Sequence, residues 1–580
     1  MKNDTVSKKL PYGISDFAKL RRDGCAYVDK TRFIETLERR DAPYIFFLRP
    51  RRFGKSLLIS LLSYYYDRKS ADAFADLFQE THIGQQPTAL KNQYYILKFD
   101  FSGIDTSTHN TTLRGFTAKI SDGLRAFEQR YGLALAYENA GAPAQIFHSF
   151  LTNVQFAIDA KLYVLIDEYD HFANELLSFQ TDVFEEAVSQ TGFVRKWYEA
   201  LKIGTGMGVV DRIFATGVSP ITLDSLTSGF NIAADMTRDR NLHALLGFTE
   251  AEVIALFGAV TAENEVDAFL PDMRKYYDGY RFSEDAEERL FNPEMVLYYL
   301  AGLSQYRTPP RELIDTNIAS DYAKLQQLFA LKNRAGNDEI LRGIVAGQPQ
   351  AALITRQFSL AKAFTTDDFL SLLFYLGLLT IESVELVGVK LAILNYVIRE
   401  LYGDFLGEML RQEAESGIDA ADIRKSIAAV AVRGDITEFL AIVETTLEKL
   451  SFRDYIRFDE KYVKLVMLTY LMMSKTYYVK SEYETPGGYI DIALLRRSGV
   501  QPNFEAILEI KYLKKEEFTE TEASRMLLRK KIDEAWQQLL AYQQADELRD
   551  KPNLKKWVLV FAGSRCVYHE DVADTMMRCD

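Results

Sequence analysis

Residues 44–67 read YIFFLRPRRFGKSLLISLLSYYYD. An apolar strand-like run, a basic turn ending in Gly54-Lys55-Ser56 and a helix-like run follow one another. This is where a phosphate-binding loop belongs, between a buried strand and the helix that packs back on its sheet. In such a loop, backbone N–H groups wrap the β-phosphate, the lysine reaches the β- and γ-phosphates, and the hydroxyl binds Mg²⁺. Gly54, Lys55 and Ser56 supply those parts, with Pro50 and Phe53 in the preceding turn. The glycine usual five residues before Gly54 is absent and Arg49 stands there. Arg49, Arg51 and Arg52 are expected to add positive charge where phosphates would lie. The plain alternative is a helix start that reads GKS by chance.

The rest of residues 1–240 repeats the alternation, with YYILKFDF, LYVLIDEY and RIFATGV as further strand-like runs between helical segments. That order signals an α/β domain with a mainly parallel sheet. The run Tyr163–Ile166 leads straight into Asp167-Glu168. A buried strand ending in an acidic pair delivers carboxylates to the carboxyl edge of the sheet, where ligands bind. Asp167 is expected to hold the water shell of Mg²⁺, and Glu168 to polarise an attacking water. The strand RIFATGVSP ends in Thr216 and Ser219, which are read either as γ-phosphate sensors or as turn hydroxyls.

A chain of 580 residues is too long for one ordinary core. Three domains are expected: residues 1–245, a helical region with a lid-like or winged-helix-like piece at 246–450, and a second α/β unit at 451–580. A net charge of −13 argues against coating nucleic acid by bulk electrostatics, so phosphate binding must be local. The three cysteines have no paired spacing, which fits a reducing cytoplasm and excludes a cysteine zinc site. No apolar run is long enough for a spanning helix and MKNDTVSKKLPYG has no apolar signal region, so a cytoplasmic location without membrane contact is expected. The six histidines are scattered and read as structural.

From residue 451 the order reads helix, three strands, a long polar helix and a strand, KWVLVFAG. The strands carry GGYIDIALL and AILEIKYLKK, which place Asp491 on one and Glu509 and Lys511 on the next. Residues two apart on a strand point to the same face. Asp491, Glu509 and the carbonyl of Ile510 can then hold Mg²⁺, while Lys511 orients water or balances developing charge. Asp491 between Ile490 and Ile492 needs a reason to sit there, although a Glu–Lys cross pair on a solvated face is the plain alternative. Glu482 is expected to complete the metal site, with Glu460 competing for that role and Gln537 or Gln538 orienting it. The last hundred residues hold 15 Lys+Arg against 18 Asp+Glu, so this unit is not broadly basic. Arg496-Arg497, Lys511/Lys514/Lys515 and Arg529-Lys530-Lys531 line either a groove or, more plainly, solvated faces.

The words PYGISDF, AYVDKT, FLRPRRFGKSLL, LIDEYD, FATGVSP, SGFNI and YYDGYRF occur in this order over residues 8–300. In this the chain resembles the bacterial AAA-ATPase-like proteins, whose loop also reads RPRRFGKS. The resemblance implies an ATP-binding domain related to the signal-transduction ATPases with numerous domains. Tyr27 to Thr31 match the family's YVDKT motif. Residues 455–570 resemble the PD-(D/E)xK nuclease superfamily, in the group fused behind this ATPase domain. SEYETPGGYIDI keeps that group's Glu482, Gly488 and Asp491, but has Tyr489 where arginine is usual, a departure that bears on substrate contact.

The expectation is therefore an α/β protein with an N-terminal P-loop NTPase, a helical middle region and a C-terminal PD-(D/E)xK-like αβββαβ domain. Its function would be that of an ATP-binding protein, an ATPase, whose nucleotide state controls a Mg²⁺-dependent nuclease acting on DNA or RNA. The alternative is an ATP-dependent recognition or scaffold protein whose nuclease fold is inactive. Self-association stays open, since no arginine finger is assignable.

Overall fold

The computed structural model describes residues 8–171, 192–220, 230–260, 266–315, 334–356, 358, 365–415, 417–450, 459–542, 546–549, 551 and 553–572. The chain divides into two compact units. One comprises Met1–Arg307, Leu313–Asn337 and Gln350–Asn395; the other comprises Thr308–Glu312, Asp338–Pro349 and Tyr396–Asp580. Among the described residues no helix is long and apolar enough to cross a membrane.

The first unit is built on five strands: β1 (Tyr44–Leu48), β2 (Tyr95–Asp100), β3 (Leu162–Asp167), β4 (Val210–Gly217) and β5 (Ala234–Asp235). They lie in the order β2-β3-β4-β1-β5 and every pairing is parallel. All six residues of β3 are buried, as expected for a strand covered on both faces. The ends of β1 and β3 lie on either side of the end of β4, so their loops share the carboxyl edge of the sheet. Helix α1 (Lys55–Tyr66) starts at Gly54, whose φ of 87° is a left-handed conformation that glycine adopts without strain.

The middle of the chain is largely helical, as its pattern predicts. The helix Glu250–Val260 begins where Thr249 and Glu252 cap one another, each accepting from the other's backbone N–H. The exception is a small antiparallel sheet of β6 (Gln350–Ala352), β7 (Thr380–Val384) and β8 (Val389–Ala392), which accompanies the helix Thr366–Tyr375 in the first unit.

The second unit carries β9 (Tyr477–Thr485), β10 (Gly488–Arg496), β11 (Glu505–Leu513), β12 (Leu554–Ala562) and β13 (Arg565–Asp571), in the order β13-β12-β11-β10-β9. The β11–β12 pairing is parallel and the others are antiparallel. Helix α2 (Glu460–Met473) precedes β9, and α3 (Glu522–Tyr542) lies between β11 and β12. The αβββαβ order thus gains one strand, β13. Its sequence RCVYHED has no clear alternation because it is a half-buried edge. Arg497 belongs neither to a groove nor to a solvated face. It is buried and paired with buried Glu400 at 3.0 Å, and it donates to the carbonyls of Arg311 and Lys475. Burial, only partly offset by Arg497, pushes the Glu400 carboxyl up to about 7.

Arg49 needs a correction of the same kind. The sequence pattern places it at the phosphates, but it is 1 % exposed and directed into the protein. Its Nη1 donates to the carbonyls of Leu48 and Thr237, each at 2.8 Å, and its Nη2 to that of His243 at 3.1 Å. The guanidinium also lies 4.2 Å from the ring centroids of Phe47 and Phe282. Burial lowers its pKa to about 9, so it remains a cation at neutral pH. Replacing Arg49 by alanine leaves several buried carbonyls without a charged donor, and each such bond is worth about 1.5–3 kcal/mol. Arg49→Ala is expected to destabilise the first unit by about 3 kcal/mol or more. Denaturant unfolding followed by tryptophan emission measures this in a Trp536→Phe/Trp557→Phe background, where Trp197 of the first unit is the reporter.

Candidate functional site

Two sites take shape, one in each unit. In the first, a cavity of about 500 Å³ lies over the carboxyl edge of the parallel sheet. Arg51, Arg52, Phe53, Gly54, Lys55 and Ser56 line it from the β1–α1 loop, and Glu168 and His171 from the end of β3. Its remaining wall is mostly apolar, with Pro11, Ile14, Tyr27, Val28, Leu246 and Phe248.

The Lys55 ammonium is buried and donates to the Pro50 carbonyl at 3.0 Å. Burial lowers its pKa, while Glu168, Asp167 and Asp170 act in the opposite direction. Asp167 is also buried; that raises its pKa, against a hydrogen bond from the Ser56 hydroxyl. The Ser56–Asp167 contact joins the two residues expected to share a magnesium ion. Burial likewise opposes the charge on Glu168, but His171, Lys55 and Arg51 outweigh it and bring the carboxyl down to about 2. Glu168 has a φ of 51°, and its Oε2 lies 2.8 Å from Nδ1 of His171.

The polar end of β4 is not arranged as a phosphate sensor. Thr216 is buried and its hydroxyl donates to the Phe47 carbonyl at 2.8 Å, so it ties β4 to β1. Asp170 accepts the backbone N–H groups of Val218 and Ser219 and the Ser219 hydroxyl, which fixes the turn after β4. Short polar residues at strand ends satisfy backbone groups as readily as ligands.

Sequence reasoning counts His171 among the scattered structural histidines and assigns no role to Tyr27–Thr31. His171 carries no signal beyond following the acidic strand end. In the second stretch, Tyr27, Val28 and Lys30 line the cavity, and the others brace it. Asp29 accepts from the His82 N–H at 2.7 Å, and Thr31 from the Ile83 N–H at 3.1 Å. Lys30 pairs with Glu252 at 2.7 Å.

In the second unit, Ile492 pairs with Leu508 on β11 and with Ser481 on β9. The neighbouring Glu482, Asp491 and Glu509 therefore fall in a row across one face of the sheet. Asp491 Oδ2 accepts the Ile510 N–H at 2.9 Å. Lys511 Nζ donates to Glu509 Oε1 at 2.8 Å, while Glu509 Oε2 is buried and has no hydrogen-bond partner. Burial and the nearby Asp491 push the Glu509 carboxyl up to about 7, against the pull of Lys511. For Lys511, burial acts downward but Glu509, Asp491 and Glu460 raise its pKa.

A buried carboxylate oxygen without a donor, beside a second carboxylate, suits a cation. Among the described residues no three His, Cys, Asp or Glu side chains form a ready-made cage. Mg²⁺ does not need one, since it keeps several waters and takes one or two carboxylates with substrate phosphates. Glu482 is not placed as expected: its carboxylate is largely exposed and ion-paired with Lys464 of α2. Lys464 escapes notice in the sequence because it stands in the apolar run YVKLVML, where a lone lysine reads as a solvated face. Glu460, one turn before Lys464, is closer in role to a third carboxylate. Its pKa is raised by burial and by Asp491, with Lys511, Lys531 and Lys464 opposing. Glu460 and Lys511 also line a wide cleft of about 990 Å³ with Arg529, Lys530, Lys531, Gln537 and Gln538 of α3. Tyr489 is exposed, and its backbone carbonyl accepts from the Tyr542 hydroxyl at 2.7 Å.

Comparison with known proteins matches both units. Residues 11–227 match the family described as predicted AAA-ATPase, and residues 458–571 match the PD-(D/E)XK nuclease superfamily. A similar protein, described as an uncharacterized protein in the vnfD 5' region of Azotobacter chroococcum mcd 1, is 31% identical over 290 residues. That match covers 49% of this chain and 50% of the relative, so the chain spans about half the length of the relative it matches. The loop and strand ends that line the cavity over the parallel sheet lie in the stretch that matches the AAA-ATPase-like family, and the Asp491–Glu509 row lies in the stretch that matches the PD-(D/E)XK nuclease superfamily.

Proposed function

We propose that the first unit binds and hydrolyses ATP, and that its nucleotide state controls a Mg²⁺-dependent phosphodiester cleavage of DNA or RNA by the second. The observation that carries the reading is the meeting of Lys55, Ser56 and Glu168 at one cavity, from the ends of separate strands, with Asp167 hydrogen-bonded to Ser56. Lys55, Arg51 and the N–H groups at the start of α1 attract the phosphates. The apolar wall around Tyr27, Val28, Leu246 and Phe248 suits a flat, weakly polar base. Glu168, ionised down to about pH 2, is too weak a base to take a proton outright, so it orients and polarises water.

In the second unit, Asp491 and Glu509 would hold the divalent ion, and Lys511 favours the charged form of Glu509. The ion, when bound, lowers the pKa of a coordinated water and balances charge on the phosphate. Lys530 and Arg529 bring positive charge to the cleft at the same edge, where a nucleic-acid backbone would run. Gly377, between the helix Thr366–Tyr375 and β7, lies against the phosphate loop: a Cβ there would come within 2.7 Å of the Pro50 ring. The scaffold reading has one observation in its favour, that Lys464 already pairs with Asp491 and Glu482.

The deciding experiment is cleavage of plasmid, single-stranded DNA and RNA with Mg²⁺, with and without ATP, by wild type and Lys511→Ala. Nucleotide-dependent cleavage lost in the variant supports the reading; its absence on every substrate favours the scaffold. Lys55→Ala is expected to weaken ATP binding about tenfold or more, as one charge-assisted bond is worth about 1.5–3 kcal/mol. Titration with a fluorescent ATP analogue measures it. Glu168→Gln keeps binding, and phosphate release is expected to fall about 10²-fold or more. Glu509→Gln is expected to abolish cleavage, to leave ATP binding unchanged, and to remove any rise in melting temperature that Mg²⁺ gives the wild type.

A further inference from the structure

The side chain of Lys464 is placed where neither packing nor solvent accounts for it. It is 8 % exposed on α2, flanked by buried Val463 and Leu465, and its ammonium faces the sheet. A buried ammonium is costly unless paired. Its Nζ donates to Asp491 Oδ1 at 3.1 Å and also to Glu482. Both oxygens of Asp491 therefore have partners, Lys464 on one and the Ile510 N–H on the other. At Glu509 one oxygen takes Lys511 and the other has no partner. The open ligand position is on the Glu509 side of the row, and a cation already sits on the Glu482 side.

We propose that Lys464 is a built-in cation of this centre, which fills the Asp491–Glu482 pair so that a single divalent ion binds, at Asp491 and Glu509. The inference rests on the nuclease reading above. Two-metal phosphodiesterases hold their ions about 3.5–4 Å apart, commonly on a shared carboxylate. Here Asp491 Oδ1 and Glu482 already share an ammonium, so a second ion between those two carboxylates would meet a positive charge that the Glu509 side lacks. A lysine can balance charge on a phosphate or leaving oxygen, but it cannot generate a hydroxide as a metal does. An ion held by Asp491 and Glu509 would supply the water activation, and Lys464 takes the charge-balancing role that a second ion would have. Because α2 carries Lys464, a movement of that helix relative to the sheet would change how many ions the centre accepts.

The test counts Mn²⁺ ions bound by the full chain without nucleotide, by electron paramagnetic resonance titration. Ions lost in an Asp491→Asn/Glu509→Gln double variant are assigned to this centre. Wild type is expected to hold one such ion and Lys464→Met two, because neutralising the lysine exposes the outer carboxylate pair. Lys464→Arg, which keeps the charge, is expected to hold one. If Lys464→Met is unstable, Lys464→Gln carries the same expectation of two. Two ions in the wild type, or one in both neutral variants, overturns the role of Lys464 and leaves the metal reading of the centre standing. No assignable ion in any form removes the metal reading itself.

Discussion

The buried guanidinium of Arg49 is the contact on which the first unit's architecture turns. A cation at the end of β1 must be met by oxygen atoms, and the chain supplies them from the segment that follows β5, through Thr237 and His243. That requirement draws residues 237–243 across the end of the sheet and, with Leu245 to Phe248 just beyond, forms one wall of the cavity. Phe282 covers the guanidinium, and with Tyr280 it packs on Phe53 of the loop. The basic run in RPRRFGKS thus separates by depth. Arg49 holds the loop from beneath, whereas Arg51 and Arg52 face the cavity.

Held in this way, the loop brings a lysine and an acidic pair together at low solvent exposure, and the charges restrain one another. Lys55 loses basicity through burial, Asp167 gains it, and Glu168 is strongly acidic because His171, Lys55 and Arg51 surround it. A triphosphate entering this cavity would compete for Lys55 with the Pro50 carbonyl. It would also weaken the hold of Lys55 and Arg51 on Glu168, because its own charge attracts the same cations. Phosphate binding at this cavity would therefore bear on the readiness of the carboxylate to engage water, through the charges they share.

Much of this is legible in the sequence. The strand–loop–helix of residues 44–66, the acidic strand end at Asp167-Glu168 and the ExK strand at 509–511 are local patterns, and local patterns survive folding. What cannot be read there depends on contacts between distant segments. Arg49 and Arg51 are alike in the sequence, and only the carbonyls of residues 237–243 distinguish them. Thr216 is a polar strand end whose hydroxyl suits a phosphate or the Phe47 carbonyl equally until β1 is seen beside β4. Arg497 looks like surface charge because its partner, Glu400, lies 97 positions away. Lys464 and Glu460 belong to the second site through the packing of α2 on the sheet, which the spacing of apolar residues implies but does not orient. Strand β13 escapes the pattern for a different reason, since an edge that buries only one flank carries little alternation.

The charge balance of the second site gives the row across β9, β10 and β11 a common logic. Glu460, Glu482, Asp491 and Glu509 are four carboxyl groups; Lys464 and Lys511 pair with three of them, and Lys531 of α3 acts on Glu460. The carboxyl groups still outnumber the ammonium groups, and a divalent cation would balance that surplus. Without such an ion, the surplus must be relieved by protonation at the least solvated member. Glu509 is that member, buried, beside Asp491 and with one oxygen unpartnered, and its carboxyl is the one raised to about 7. Lys511 cannot relieve the surplus further, because its ammonium is already engaged at Glu509 Oε1. Polar groups this deep are tolerated only when their charges are met, and Lys464 and Lys511 meet those of Asp491 and of Glu509 Oε1, which leaves Glu509 Oε2 as the position that a cation would complete.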